Sequence, residues 1–124
     1  MLPAQYRLTR MKDFEILYKV GRFVGGGLVT AKVWRVTPEQ FPRRQYSRDD
    51  LKIGFVVGVK ISKSAVKRNR VKRQMREVVR LLLKEGKLKT GFMIAIMAKK
   101  EILDQEYAAI EADVESILKK IGIL

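Results

Sequence analysis

Apolar residues recur along this chain in two rhythms, and the changes between them mark out its elements. From Thr9 to Val20, Phe14, Leu17 and Tyr18 stand at i, i+3 and i+4, which predicts a short helix with one apolar stripe. Thr9 is placed to cap it and Gly21 to end it. Gly25-Gly26-Gly27 reads as a flexible turn. Leu28 to Val36 is rich in β-branched residues and predicts a strand. A polar loop with two prolines follows, from Thr37 to Asp50. At about 14 residues it lies at the upper end of ordinary loop lengths.

Ile53 to Val59 is a continuous apolar run, predicted as a buried strand. The spacing of Val71, Met75, Val78 and Leu82 predicts a helix over 65–84, capped by Ser62 or Ser64 and ended by Gly86. Phe92 to Ala98 predicts another strand. Asp104 to Ile121 predicts a last helix that buries Tyr107, Ile110, Val114, Ile117, Leu118 and Ile121 and turns Glu111, Asp113 and Glu115 to solvent. The order is α-β-β-α-β-α, an α+β chain forming one domain over residues 1–124. The strand–helix–strand unit over 53–98 predicts a parallel pair.

Charge changes this picture more than overall composition does. A 47% hydrophobic fraction is ordinary for a globular domain. Lys plus Arg number 27 against 13 Asp plus Glu, a formal net charge of +14. The pI near 10.3 exceeds the value of about 9 that flags a nucleic-acid footprint. The excess is concentrated. Residues 60–80 hold nine of the 27 basic side chains and one acid, Glu77, whereas the last helix is acidic. Lys72, Arg73, Arg76 and Arg80 fall opposite the apolar stripe of the long helix, with Asn69 among them. Lys67, Arg68 and Arg70 lie in its first two turns, where cations oppose the helix dipole by about 0.3–1 kcal/mol each. A helix built only for stability would place acids there. Arginines beside free N–H groups instead form a phosphate site.

Other chemistry is limited by what is missing. With no Cys and no His, thiolate or imidazole metal sites and Ser-His or Cys-His catalysis are excluded. The Asp49-Asp50 pair reads as turn chemistry, and Glu111 with Glu115 as a solvated face, so no catalytic residues are assigned. No apolar run reaches the roughly 18 residues of a membrane span, and the N-terminus has no signal-peptide pattern. A cytoplasmic protein with no membrane partner is expected. Three function classes are weighed from these residues: a structural RNA binder such as a ribosomal protein, a stand-alone metal-dependent nuclease, for which these acids give little support, and a DNA-binding helix. The last lacks a recognisable helix-turn-helix or zipper.

The stretch Ser62-Lys63-Ser64-Ala65-Val66-Lys67-Arg68-Asn69-Arg70-Val71-Lys72-Arg73 resembles the signature of the bacterial ribonuclease P protein subunit. That pattern is an Ala, two variable residues, Arg-Asn-Arg, an apolar residue and two basic ones. Arg7-Leu8, Asp13-Phe14 with Tyr18, and Ile53 to Val57 are also similar to family segments. The resemblance implies a compact α/β sandwich with a sheet of about four strands and a left-handed βαβ crossover, against a strong right-handed preference. It implies hydrolytic removal of the 5′ leader from precursor tRNA, with the chemistry carried by ribonuclease P RNA and its Mg ions, and no cofactor bound by the protein alone. Its partners would be that RNA and precursor tRNA, with no DNA.

By position, Lys67, Arg68, Asn69, Arg70, Lys72, Arg73 and Arg76 would meet the ribozyme RNA. Phe14 and Tyr18 would line a cleft for the single-stranded leader, where aromatic stacking tolerates any base. An aromatic pair at that spacing suits a core equally, and the residues alone leave both open. The family's first strand carries an aromatic facing the cleft. Lys32 stands at that spacing here, with Trp34 two residues on and on the same strand face.

Overall fold

The structure is a computed structural model that describes residues 2–124. Three helices, α1 (Met11–Val20), α2 (Ala65–Lys84) and α3 (Tyr107–Ile121), pack on one four-stranded sheet. The strands are β1 (Arg22–Gly25), β2 (Val29–Arg35), β3 (Leu51–Val56) and β4 (Phe92–Ala98), in spatial order β1-β2-β4-β3. β2 is antiparallel to both β1 and β4, and β3 is parallel to β4. Central β4 is buried from Met93 through Ile96, as its unbroken apolar run predicts.

The pleat sorts the sheet into two faces. Val29, Ala31, Val33, Ile53, Ile94 and Ile96 meet the apolar stripes of α2 and α3 in the main core. Trp34, Met93 and Ala95 point the other way, onto Leu8, Ile16 and Leu17. On this second face, strand register aligns Phe23, Lys32, Ala95 and Gly54 in one row, and Trp34, Met93 and Lys52 in the next.

Ile53 fixes the hand of the crossover. Its side chain lies in the core beneath α2, while its carbonyl accepts the Leu8 N–H (3.1 Å) at the sheet's outer edge. View the sheet with β3 running upward and α2 in front. An L-residue whose side chain points forward then has its carbonyl to the right, so β4 lies to the left. The β3–α2–β4 connection is therefore left-handed, opposite to the usual hand.

Local signals and tertiary packing agree best in α2, which spans the residues its periodicity predicts. Ser64 is the cap: its hydroxyl accepts the Lys67 N–H at 3.3 Å. At the far end Gly86 takes a φ of +68°, and the N–H groups of Gly86 and Lys87 return to the carbonyls of Leu83 and Leu82.

Elsewhere the structure departs from the sequence reading. α1 begins at Met11, and Thr9 does not cap it, because Arg7 and Leu8 are held along β3 and delay the helix. The buried face of α1 is Asp13, Ile16 and Leu17, a rotation away from the predicted Phe14–Leu17–Tyr18 stripe. β1, which the hydrophobic pattern does not predict, pairs with β2 over four residues. The glycine turn is not loose. A Cβ on Gly26 would lie 2.7 Å from the Val29 carbonyl and 3.0 Å from the Asp113 carboxylate. Asp113, assigned to a solvent face, instead accepts N–H groups from Gly27, Leu28 and Val29 at 3.2, 2.9 and 2.9 Å. That clasp pins α3 to the β1–β2 turn. β3 ends at Val56, where the chain turns through Gly58 toward α2 and leaves Val59 exposed. α3 starts at Tyr107, since a short 3-10 turn at Lys100–Ile102 and left-handed Asp104 come first.

Candidate nucleic-acid interface

Two surfaces follow from this architecture, one on each side of the β3 edge. The first is the outward side of α2. Its inward stripe of Val71, Met75, Val78 and Leu82 is buried in the core and fixes the helix's rotation. Lys67, Asn69, Arg70 and Arg73 are consequently exposed, and Lys72 and Arg76 half-buried. Val66, Asn69, Lys72, Arg73 and Arg76 surround one shallow depression. None of those three cations has a hydrogen-bonded or ion-paired partner among the described residues.

Arg68 is placed differently. One of its terminal nitrogens donates to the Ser62 carbonyl at 2.8 Å, tying the helix to the loop before it. Arg80, predicted as part of the cationic strip, is engaged by Glu77 through two hydrogen bonds of 2.9 and 2.6 Å. Those bonds hold the Glu77 carboxyl below its ordinary pKa. The uncompensated strip therefore ends near Arg76.

The second surface is the part of the sheet that α1 leaves uncovered. Phe14 lies on β3 at Gly54, where an added Cβ would come within 2.7 Å of the ring. The ring centroids of Phe14 and Tyr18 are 6.1 Å apart, tilted by 33°. Phe14 is half-buried, whereas Tyr18 is 43% exposed. Partial burial raises the Tyr18 hydroxyl above its usual pKa. Lys32 is half-buried on the floor, its ammonium 3.4 Å from the Gly21 carbonyl.

Trp34 shares this face but is removed from the candidate cleft. It is only 6% exposed, with Phe41 and Tyr46 edge-on to it at 5.5 and 5.4 Å. The 37–50 loop folds over the indole, which thus serves the core. The most exposed aromatic on this face is Phe23 of β1, 62% exposed and paired in register with Lys32. An apolar pair, Phe23-Val24, between two glycines was the available signal, but a four-residue strand is too short to display a period.

A second feature absent from the sequence reading is a polar latch. Asp13 is 5% exposed; its carboxylate accepts from Arg44 at 2.9 Å and from the Tyr46 hydroxyl at 2.6 Å. Burial first, then the bond to Asp13, pushes the Tyr46 hydroxyl above its ordinary value of 10.0. The signal here was a carboxylate in step with Ile16 and Leu17, since an acid on a core face needs partners.

A profile of the family described as "Ribonuclease P" matches residues 2–122. The chain is 35% identical to the ribonuclease P protein component of Synechococcus sp. (strain JA-2-3B'a(2-13)), over all of this chain and 87% of the relative. It is 31% identical to that of Symbiobacterium thermophilum, over 99% of this chain and 96% of the relative. Its fold is similar to those of the RNase P proteins of Staphylococcus aureus and Thermotoga maritima. The TM-score is 0.75 in both cases, at 23% and 22% identity, covering 95% and 94% of this chain and 96% and 97% of theirs.

Proposed function

The chain belongs to the bacterial ribonuclease P protein family, and from that premise we propose that it binds the catalytic RNA through α2 and the 5′ leader of precursor tRNA beside α1. The observation that carries this reading is the placement of the signature. Ala65 through Arg73 form the first turns of a capped helix whose inward side is locked in the core. Lys67, Asn69, Arg70 and Arg73 face outward, and Lys72 and Arg76 border the same depression. Helix N–H groups, dipole and guanidinium forks converge on the chemistry of phosphate oxygens. Arg68 acts chiefly by holding the loop that presents this end of the helix.

The leader would lie over the open face, with bases stacked against Tyr18, Phe23 and the exposed side of Phe14. Lys32 would add positive charge between the aromatics. Stacking on such platforms contributes about 1–3 kcal/mol per base and tolerates any sequence. Hydrolysis itself is assigned to the RNA. Among the described residues no three acidic side chains gather where they could hold a metal ion. No step is routed through a metal held by these side chains.

The test separates the two surfaces. Arg70→Ala with Arg73→Ala should weaken binding to ribonuclease P RNA and reduce the slope of log affinity against log salt by about 2. Phe23→Ala should weaken binding of precursor tRNA by the assembled complex and leave mature tRNA unaffected. The protein without RNA should not cleave precursor tRNA; cleavage under those conditions would place the chemistry in the chain.

A further inference from the structure

The cationic side of α2 does not end on the helix. Lys72 and Arg76 also line a groove of about 230 Å³, which crosses the β3 edge beside Gly54 and Phe55 to reach Arg7 and Thr9. Arg7 and Thr9 in turn line a polar cavity of about 300 Å³ at the start of α1, walled by Arg10, Arg44, Asp50 and Lys52. Three concavities thus share lining residues in sequence. They form one track from the signature helix around the sheet edge to the far side of α1.

The cavity's charge favours an anion. Arg7, Arg10, Arg44 and Lys52 contribute four positive charges against two negative ones from Asp13 and Asp50, a balance of +2. Both acids are already engaged. Asp13 accepts from Arg44 and Tyr46, and Asp50 accepts the Ser47 N–H at 2.9 Å. Arg10 and Lys52 have no side-chain partner among the described residues, and Arg7 uses only its Nε, donating to the Leu2 carbonyl. α1 also begins here without a side-chain cap, so its dipole adds partial positive charge. The 37–50 loop completes the wall through Arg44 and Tyr46, fixed in place by the latch to Asp13.

We propose that this cavity holds a backbone phosphate of the ribozyme RNA, so that a strand seated along α2 continues past Arg7 to the start of α1. The inference rests on the reading of the chain as an RNA-binding subunit and extends it to Arg10, Lys52 and the 37–50 loop. Continuity with α2 favours the ribozyme strand over the leader, which would occupy the open face on the other side of α1.

The experiment measures binding of isolated ribonuclease P RNA over a salt series, without tRNA. The double variant Arg10→Ala with Lys52→Ala should bind about tenfold more weakly at 0.15 M salt, with a salt slope shallower by about 2. The pair Arg10→Lys with Lys52→Arg should restore binding. Lys84→Ala with Lys119→Ala removes the same charge away from the track and should change affinity less than about twofold. If the Arg10/Lys52 variant matches that control while Arg70→Ala with Arg73→Ala still weakens binding, the track is wrong and the reading of α2 as an RNA-binding helix stands. If wild type shows no salt-dependent binding, both fall. An effect confined to precursor tRNA would give the cavity to the leader and overturn the assignment. A second measurement does not depend on these variants. The chain has no cysteine, so Arg43→Cys, next in sequence to Arg44 of the cavity wall, carries a single tethered iron chelate. It should cut ribonuclease P RNA at one locus, and no cutting would overturn the proposal.

Discussion

At the scale of single residues, the most informative side chain is one whose type contradicts its position. Asp13 sits on the buried face of α1 and is held there by Arg44 and Tyr46. Tyr46→Phe removes one of two donors to a buried carboxylate and should destabilise the fold by about 1–2 kcal/mol, measured by chemical denaturation at neutral pH. Tyr46 also predicts an alkaline dependence. Its folded pKa is raised, so the stability tied to its proton is complete below the unfolded value near 10 and is lost as pH rises above it. The Phe variant should show a smaller fall in stability between pH 9 and about 11 than wild type; an equal fall would locate the alkaline sensitivity at other groups. Phe23 and Trp34 make the converse point. Alternation along β2 identified the face on which Trp34 lies. It carried no information on the loop that folds over it, because that contact joins residues distant in sequence.

At the scale of elements, legibility followed the range of the interactions that set each boundary. The ends of α2 are decided by Ser64 and Gly86, both within a turn of the helix, and were readable. Ser64→Ala should cost about 1 kcal/mol and loosen the first turn, detected as faster amide exchange at Lys67. Because Lys67 and Arg68 lie on that turn and Arg70 on the next, RNA affinity should fall with it. The start of α1 was not readable, since Arg7 and Leu8 are captured by Ile53, some 45 residues away along the chain. β1 was hidden because four residues are too few to display a period, and with it Phe23, the most exposed aromatic of the candidate cleft. Gly54 makes the packing of α1 on β3 possible. Gly54→Ala would set a methyl 2.7 Å from Phe14 and displace the helix. We expect a loss of about 1–3 kcal/mol by thermal melting, together with weaker precursor-tRNA binding.

At the scale of the whole molecule, positive charge is concentrated on α2, whose opposite side packs the core. Nine of the 27 basic side chains behind the net charge of +14 fall within residues 60–80, against one acid. Self-repulsion there opposes folding, and screening should relieve it. Raising NaCl from 0.02 to 0.5 M should therefore raise the melting temperature while it weakens RNA binding. A falling melting temperature would mean that ion pairs such as Arg44–Asp13 outweigh the repulsion. The sequence carried the helix–sheet composition and the signature helix from local patterns. The left-handed crossover was inferred from resemblance alone, because its hand is set by which edge of β3 the Leu8 segment occupies.

The indole beneath the 37–50 loop has an optical consequence. Trp34 is the only tryptophan in the chain, so its fluorescence reports on one place. Sealed by Phe41 and Tyr46, it should emit toward the blue and resist collisional quenching by acrylamide. Lifting the loop would wet the ring and shift emission to the red while far-ultraviolet dichroism stayed constant. The molecule thus carries an intrinsic gauge of whether that loop is seated, readable with and without RNA and without any added label.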